Sequence, residues 1–218
     1  MNTDDCIKCG KCTRVCDFLT KHDIDLKDLE SEKRELAYNC LMCGECTPVC
    51  PKSIDGRKVA LDIRKEQAAK EDFDKAPYKG VILEKKNYLF KNYRSSNKRS
   101  VLFPGCNFPS FFPETTKHLI KLLKENADMG VAFDCCGKPI AELGMVKEEK
   151  KILDKINKNL SDNKVQELVT MCPNCYHYLK GKIDVEVIDI YKKLKEIGYE
   201  PQMEAKDYHF FLPCPDRY

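Results

Sequence analysis

At 218 residues the chain suffices for one medium domain or two small ones, and its 42% hydrophobic and 33% charged residues suit a soluble globular protein. A net charge of +3 is too near balance to argue for nucleic acid or an anionic membrane, and no apolar run approaches the ~20 residues of a membrane span. The start Met1-Asn-Thr-Asp-Asp lacks the basic and apolar regions of a signal peptide, so the fourteen cysteines point to reduced thiols binding metal, in an anaerobic or strongly reducing cytoplasm, rather than to disulfides.

The first feature along the chain is Cys6-Ile-Lys-Cys9-Gly-Lys-Cys12-Thr-Arg-Val-Cys16, and Cys40-Leu-Met-Cys43-Gly-Glu-Cys46-Thr-Pro-Val-Cys50 repeats its spacing. Three thiols on one tight loop reach three corners of a cubane, while the fourth is displaced along the chain. Zinc sites use two spaced pairs rather than runs of four. Both runs resemble the bacterial ferredoxin motif, which holds [4Fe–4S] clusters and lends its fourth cysteine to the other cluster. That resemblance implies one cluster on Cys6, Cys9, Cys12 and Cys50, and a second on Cys40, Cys43, Cys46 and Cys16. Asp17 stands where Pro51 follows the second run. Proline there shapes a turn and ligates nothing, so Cys16 stays in the set.

Between the runs, residues 25–38 carry helical signals, with Leu26, Leu29 and Leu36 near one face. A helical insert here resembles the α-helical ferredoxin module of succinate dehydrogenase and heterodisulfide reductase subunits. A second helix is predicted from Arg57 to about Lys70, with Val59, Ala60 and Ile63 inward. The stretch Lys85–Arg99 is basic and interleaved with aromatics. A nucleic-acid patch is one reading of it; a solvated helix fading into a linker near Ser95-Ser96-Asn97 is the one adopted. The domains expected are therefore 1–76, a linker over 77–100, and 101–218.

The second half changes character. Strands are predicted at Val101–Cys106, Gly130–Asp134, Val165–Met171, Val185–Ile188 and Tyr208–Leu212, and helices over Glu114–Asn126, through Leu119, Leu122 and Leu123, and over Val146–Leu160. The alternation implies an α/β sheet, giving an α+β or α/β fold class overall. Ligands in such sheets sit beyond the carboxyl ends of the strands, and each cysteine group here falls at a predicted strand end.

Those groups are Cys106, Cys135-Cys136-Gly137 and Cys172-Pro-Asn-Cys175. Their order resembles the CCG cysteine-rich module of heterodisulfide reductases, found also in iron–sulfur subunits of glycolate and anaerobic glycerol-3-phosphate dehydrogenases. With the N-terminal module, nearly the whole chain is similar to such fusions. The resemblance implies that Cys106, Cys135, Cys136, Cys172 and Cys175 bind a third, non-cubane [4Fe–4S] cluster, with Cys135, Cys136 and Cys172 at the catalytic centre and Gly137 turning sharply against the inorganic core. Zinc on four of these thiolates, a dithiol pair at Cys172 and Cys175, and buried inert thiols are the competing readings. Cys214, in Leu-Pro-Cys-Pro-Asp-Arg217, looks like the opening of a second CCG repeat. A truncated chain, a partner that supplies the rest, lost catalysis or a frame interrupted at a recoded selenocysteine codon would each account for its stopping there.

His22, His118, His177 and His209 show no ligand or triad spacing, and His177 alone follows a cysteine closely enough to approach the site. Phe108, Phe111 and Phe112 are candidates for a pocket wall, a docking face or plain core. No segment reads G-x-G-x-x-G, so a flavin or nicotinamide belongs on another polypeptide. The resemblance implies a heterodisulfide-reductase-like subunit that takes electrons from a flavoprotein or ferredoxin, passes them through two cubanes, and reduces a small disulfide at the CCG site. An electron-transfer subunit of a flavin-dependent 2-hydroxy-acid or glycerol-3-phosphate dehydrogenase is the second reading, and a scaffold with structural zinc the third. Other oxidoreductase subunits are the partners implied, without nucleic acid or a membrane span.

Overall fold

The N-terminal helices are short because cysteine loops keep interrupting them. This computed structural model describes residues 2–71, 73–201 and 206–209, and the described chain divides into two units, one formed by residues up to Lys79 with Pro139–Val146, the other by Gly80–Lys138 with the described residues from Lys147 on. The first unit holds α1 (Lys11–Arg14), α2 (Asp17–His22), α3 (Leu26–Ser31), a 3-10 turn over Arg34–Asn39, and α4 (Gly56–Ala69). Asp25 caps α3 through a reciprocal capping box with Asp28, and Asp55 caps α4 by accepting from the Arg57 and Lys58 N–H groups. Leu19, Leu26, Leu29, Ala37, Val59 and Ile63 form the core between them.

The single helix expected over residues 25–38 is two pieces. In a continued helix the Glu30 carbonyl would accept from the Arg34 N–H. It accepts instead from the Arg34 guanidinium at 2.9 Å, and the chain leaves α3 for the 3-10 turn that carries Ala37 inward. The predicted helix after Arg57 is α4, and Val59, Ala60 and Ile63 are buried as its pattern requires.

The second unit opens with α5 (Lys79–Lys86) and contains a five-stranded sheet in the order β1 (Asn92–Ser95), β3 (Gly130–Phe133), β2 (Ser100–Phe103), β4 (Glu167–Thr170), β5 (Glu186–Asp189). The last four are mutually parallel, with Leu102 opposite Val169 and Val169 opposite Ile188, while β1 runs antiparallel to β3. The remaining helices are α6 (Phe108–Phe111), α7 (Pro113–Ala127), α8 (Lys138–Glu142), which from Pro139 on belongs to the first unit, α9 (Val146–Asp162), α10 (Pro173–Leu179) and α11 (Ile190–Glu196). Helix α9 buries Ile152, Ile156 and Leu160 at four-residue intervals. Helices with a mixed sheet make the class α+β.

Strand β1 departs from expectation. The sequence predicts helix fading into linker over residues 92–95, but a parallel β3 at the border of the sheet leaves a row of N–H and C=O groups that needs a partner, and Asn92–Ser95 supplies one. The strand predicted at Tyr208–Leu212 lies outside the described residues except for Tyr208 and His209, which are irregular, and Cys214 also lies outside them. Among the described residues no helix is long and apolar enough to cross a membrane.

One side chain closes the first unit. Arg64, 5% exposed on α4, donates from Nε and Nη2 to the Ala37 carbonyl at 3.1 and 3.0 Å, from Nη2 to the Cys40 carbonyl at 2.5 Å, and from Nη1 to the Glu142 carbonyl at 2.7 Å. The Tyr38 hydroxyl adds a bond to the Leu143 carbonyl at 3.1 Å. Segment 139–146 is thus held within this unit by main-chain carbonyls that a buried cation collects. Arg64→Leu keeps much of the bulk but strands three carbonyls. It is expected to lower unfolding stability by about 3 kcal/mol, with Arg64→Lys recovering part of the loss, as measured by far-UV circular dichroism in an anaerobic denaturant titration.

Candidate metal centres

The two N-terminal cysteine runs adopt one local conformation. In each, the residue before the second cysteine has positive φ, 52° at Lys8 and 58° at Met42, and so has the glycine after it, 68° at Gly10 and 85° at Gly44. Lysine and methionine enter that region rarely. The return is the same at both sites: the Lys8 N–H points at Cys6 Sγ and the Met42 N–H at Cys40 Sγ, each at 3.4 Å. Backbone N–H groups aimed at thiolate sulfur favour its charged form and are one means of setting a cluster's potential.

The sulfurs gather in two sets. Cys6, Cys9, Cys12 and Cys50 line one cavity walled by Ile7, Leu26 and Ile54. Cys16, Cys40, Cys43 and Cys46 form the other. Burial raises the Cys40 thiol, and burial together with the neighbouring charge of Cys40, Cys16 and Cys43 pushes Cys46 up to about 12. Gly56 opens α4 directly over this second set, where a Cβ would lie 2.2 Å from Cys46 Sγ, so only glycine leaves the sulfur its place.

In the second unit the cysteines follow the strands. Cys106 comes three residues after β2, Cys135 two after β3, and Cys172 two after β4. Their thiols and that of Cys175 form one run of hydrogen-bonded sulfurs, in the order Cys106, Cys135, Cys136, Cys175, Cys172. The effects alternate along it. Cys106 is raised by its bond to Cys135 and by burial; Cys135 is lowered by Cys106, but Cys136 and burial outweigh this and push it up to about 12. Cys136 is lowered by bonds from Cys135 and Cys175, while Cys175 is raised by its bonds to Cys136 and Cys172. Cys172, at the head of α10, is lowered to about 6 by Cys175 and, against its burial, by the Cys175 and Asn174 N–H groups. A Cβ on Gly105 would meet Cys175 Sγ at 3.1 Å, so the loop after β2 also makes room for sulfur. Gly137 is crowded from another side than expected: its φ is 87°, and a Cβ would strike Ile152 Cγ2 at 2.9 Å.

Sequence reasoning missed three groups beside this run. Lys85 Nζ hydrogen-bonds the Cys106 sulfur; burial weighs against its charge, but Glu84 and Cys106 keep its ammonium favoured. Asp134, 7% exposed, accepts from the Tyr93 hydroxyl at 3.0 Å and the Cys135 N–H at 2.8 Å, and burial raises its carboxyl. Lys85 and Tyr93 belong to the basic, aromatic stretch read as solvated, and the signal was there in the aromatics, which a solvent-facing helix has no need of. His177 is exposed on α10 with its ring edge-on to Tyr176. Phe108 packs against the sheet core, whereas Phe111 and Phe112 are exposed.

The thirteen cysteines among the described residues are all free, and no group of three or more His, Cys, Asp or Glu side chains there surrounds a single ion position. Thiol donors in two sets of four and one of five, with backbone N–H groups directed at sulfur, fit iron–sulfur clusters. Comparison with known families agrees. Residues 5–54 match a 4Fe-4S dicluster domain and residues 100–180 a CCG cysteine-rich domain. The chain is an iron–sulfur fusion of these two domains. Its dicluster domain and CCG domain stand in the order of the heterodisulfide-reductase-like fusion that the sequence resembles, and both domain types serve electron transfer. No curated protein and no solved structure matches the chain.

Gly56→Ala should displace Cys46 Sγ and cost the dicluster domain about four irons, the content of one cubane. Iron analysis with electron paramagnetic resonance checks this; the signal of the cluster on the other side of the domain should persist.

Proposed function

We propose that the chain is the iron–sulfur subunit of a cytoplasmic, heterodisulfide-reductase-like enzyme. The observation that carries this reading is the unbroken run of five cysteine sulfurs at three strand ends, with Cys135 also lining an open cavity. Cys6, Cys9, Cys12 and Cys50 hold one cubane, Cys16, Cys40, Cys43 and Cys46 a second, and Cys106, Cys135, Cys136, Cys172 and Cys175 a third, non-cubane centre. Iron in that third centre supplies a site for sulfur and electrons one at a time.

The chemistry balances as one disulfide, two electrons and two protons giving two thiols. An external flavoprotein or ferredoxin is the reductant. The chain's own residues place the sulfurs, exclude water around Cys136 and Cys175, and keep a proton-bearing ammonium, Lys85 Nζ, against Cys106. Their neighbouring thiols and burial raise Cys106 and Cys135, so iron has to displace protons there on loading, and loading should weaken as the solution is acidified.

Anaerobically purified protein is expected to carry about twelve irons per chain, with a paramagnetic signal beyond those of two cubanes. It should turn over small disulfides with a reduced dye, and Cys135→Ser should abolish turnover while keeping the cubane signals. Eight irons and one zinc would select a scaffold instead. Twelve irons without disulfide turnover, together with a co-purifying flavoprotein that oxidises a 2-hydroxy acid or glycerol 3-phosphate, would make the chain an electron-transfer subunit.

A further inference from the structure

Beside the run of sulfurs, the second unit contains a cavity of about 230 Å³ with Cys135 in its wall. Five lysines line it, Lys85, Lys86, Lys91, Lys155 and Lys158, and Asp134 is its sole carboxylate. Three of these lysines are paired with acids: Lys85 with Glu84 at 2.5 Å, Lys86 with Glu148 at 3.4 Å, Lys158 with Asp162 at 2.8 Å. Lys91 and Lys155 have no ion-pair partner among the described residues. Lys91 reaches only the Asn87 amide oxygen, at 3.4 Å. Asp134 attracts both Lys91 and Lys155 without an ion-pair contact to either, while its two oxygens accept hydrogen bonds from the Tyr93 hydroxyl and the Cys135 N–H, so one shared carboxylate answers two ammonium groups. Two ammonium groups that share a single carboxylate therefore face a recess with Cys135 in its wall, and Tyr88 and Ile152 give that recess an apolar side.

A cleft lined by one sign of charge over low-dielectric walls concentrates ligands of the opposite sign. We propose that this cavity binds a small anionic molecule, its carboxylate held by Lys91 and Lys155 and its other end lying against Tyr88, Ile152 and Cys135. Neither domain match assigns this site, and it draws on residues 85–91, which lie outside both matched ranges. The anion site stands on its own geometry; that the occupant is the disulfide being reduced rests on the function proposed above.

Two disulfides of similar size and opposite charge test it: dithiodiglycolate, with a carboxylate at each end, and cystamine, with an amine at each end. Titration calorimetry on the iron-loaded chain at low salt should show dithiodiglycolate binding about tenfold or more tighter than cystamine, the scale of two partly exposed ion pairs, and the gap should narrow as salt is added. Lys91→Glu with Lys155→Glu should reverse the order, whereas Lys121→Glu, on α7 away from the cavity, should leave it unchanged. Both reversals alter exposed side chains, so folding should be retained, and unchanged iron content would show it. Equal binding of the two disulfides, or a preference indifferent to the double reversal, would overturn the proposal. Turnover separates the two ideas: reduction of both disulfides with equal kcat/KM removes the anion site and keeps the disulfide reaction, and selective binding of dithiodiglycolate without turnover does the opposite.

Discussion

Sulfur is easily buried as a thiol and with difficulty as a thiolate, and that asymmetry governs both units. Desolvation raises Cys12, Cys40 and Cys46, and adds to the neighbouring thiols in raising Cys106 and Cys135, so gathering four or five such sulfurs as anions requires a compensating cation at their centre. The chain supplies only part of the compensation itself, through N–H groups at Cys6, Cys40 and Cys172, the Arg64 guanidinium near Cys40, and Lys85 at Cys106. In the function proposed above, iron supplies the rest. Short helices, positive-φ residues and a glycine under Cys46 are what the backbone concedes to bring the sulfurs that close.

The two units reach this end by different routes. In the dicluster domain most ligands of a set are neighbours in sequence, and the loop conformation is written twice, down to the N–H···S distance. In the CCG domain the cysteines are far apart in the chain, and parallel strands deliver them to one end of a sheet. Local geometry secures the first kind of site. The second exists only if β2, β3 and β4 are in register.

This difference explains what could be read from residues alone. Ligand spacing in the first half is a local property, so the pairing of Cys50 with the first run follows from motif knowledge alone. Strand-end cysteines were legible because apolar runs stop at each group. The break after α3 was not, because Arg34 and Leu36 fit a helix by type, and only the reach of the Arg34 side chain to a carbonyl ends it. Nor was the role of Arg64, whose partners are main-chain carbonyls at Ala37, Cys40 and Glu142 and leave no mark on residue identity. Lys85 was hidden by its company: in a stretch rich in charge, one lysine that turns inward looks like the rest, and only the aromatics, Tyr93 among them, hinted at a buried side.

Strand β1 carries a practical corollary. It precedes the matched CCG range, yet it is hydrogen-bonded along β3, and Tyr93 within it anchors the carboxylate next to Cys135. Cutting the chain at residue 100, where the recognised module starts, would peel off a border strand and leave β3 with raw, adhesive main chain. Such a fragment should clump with copies of itself, whereas one starting at residue 80 would keep its hem intact.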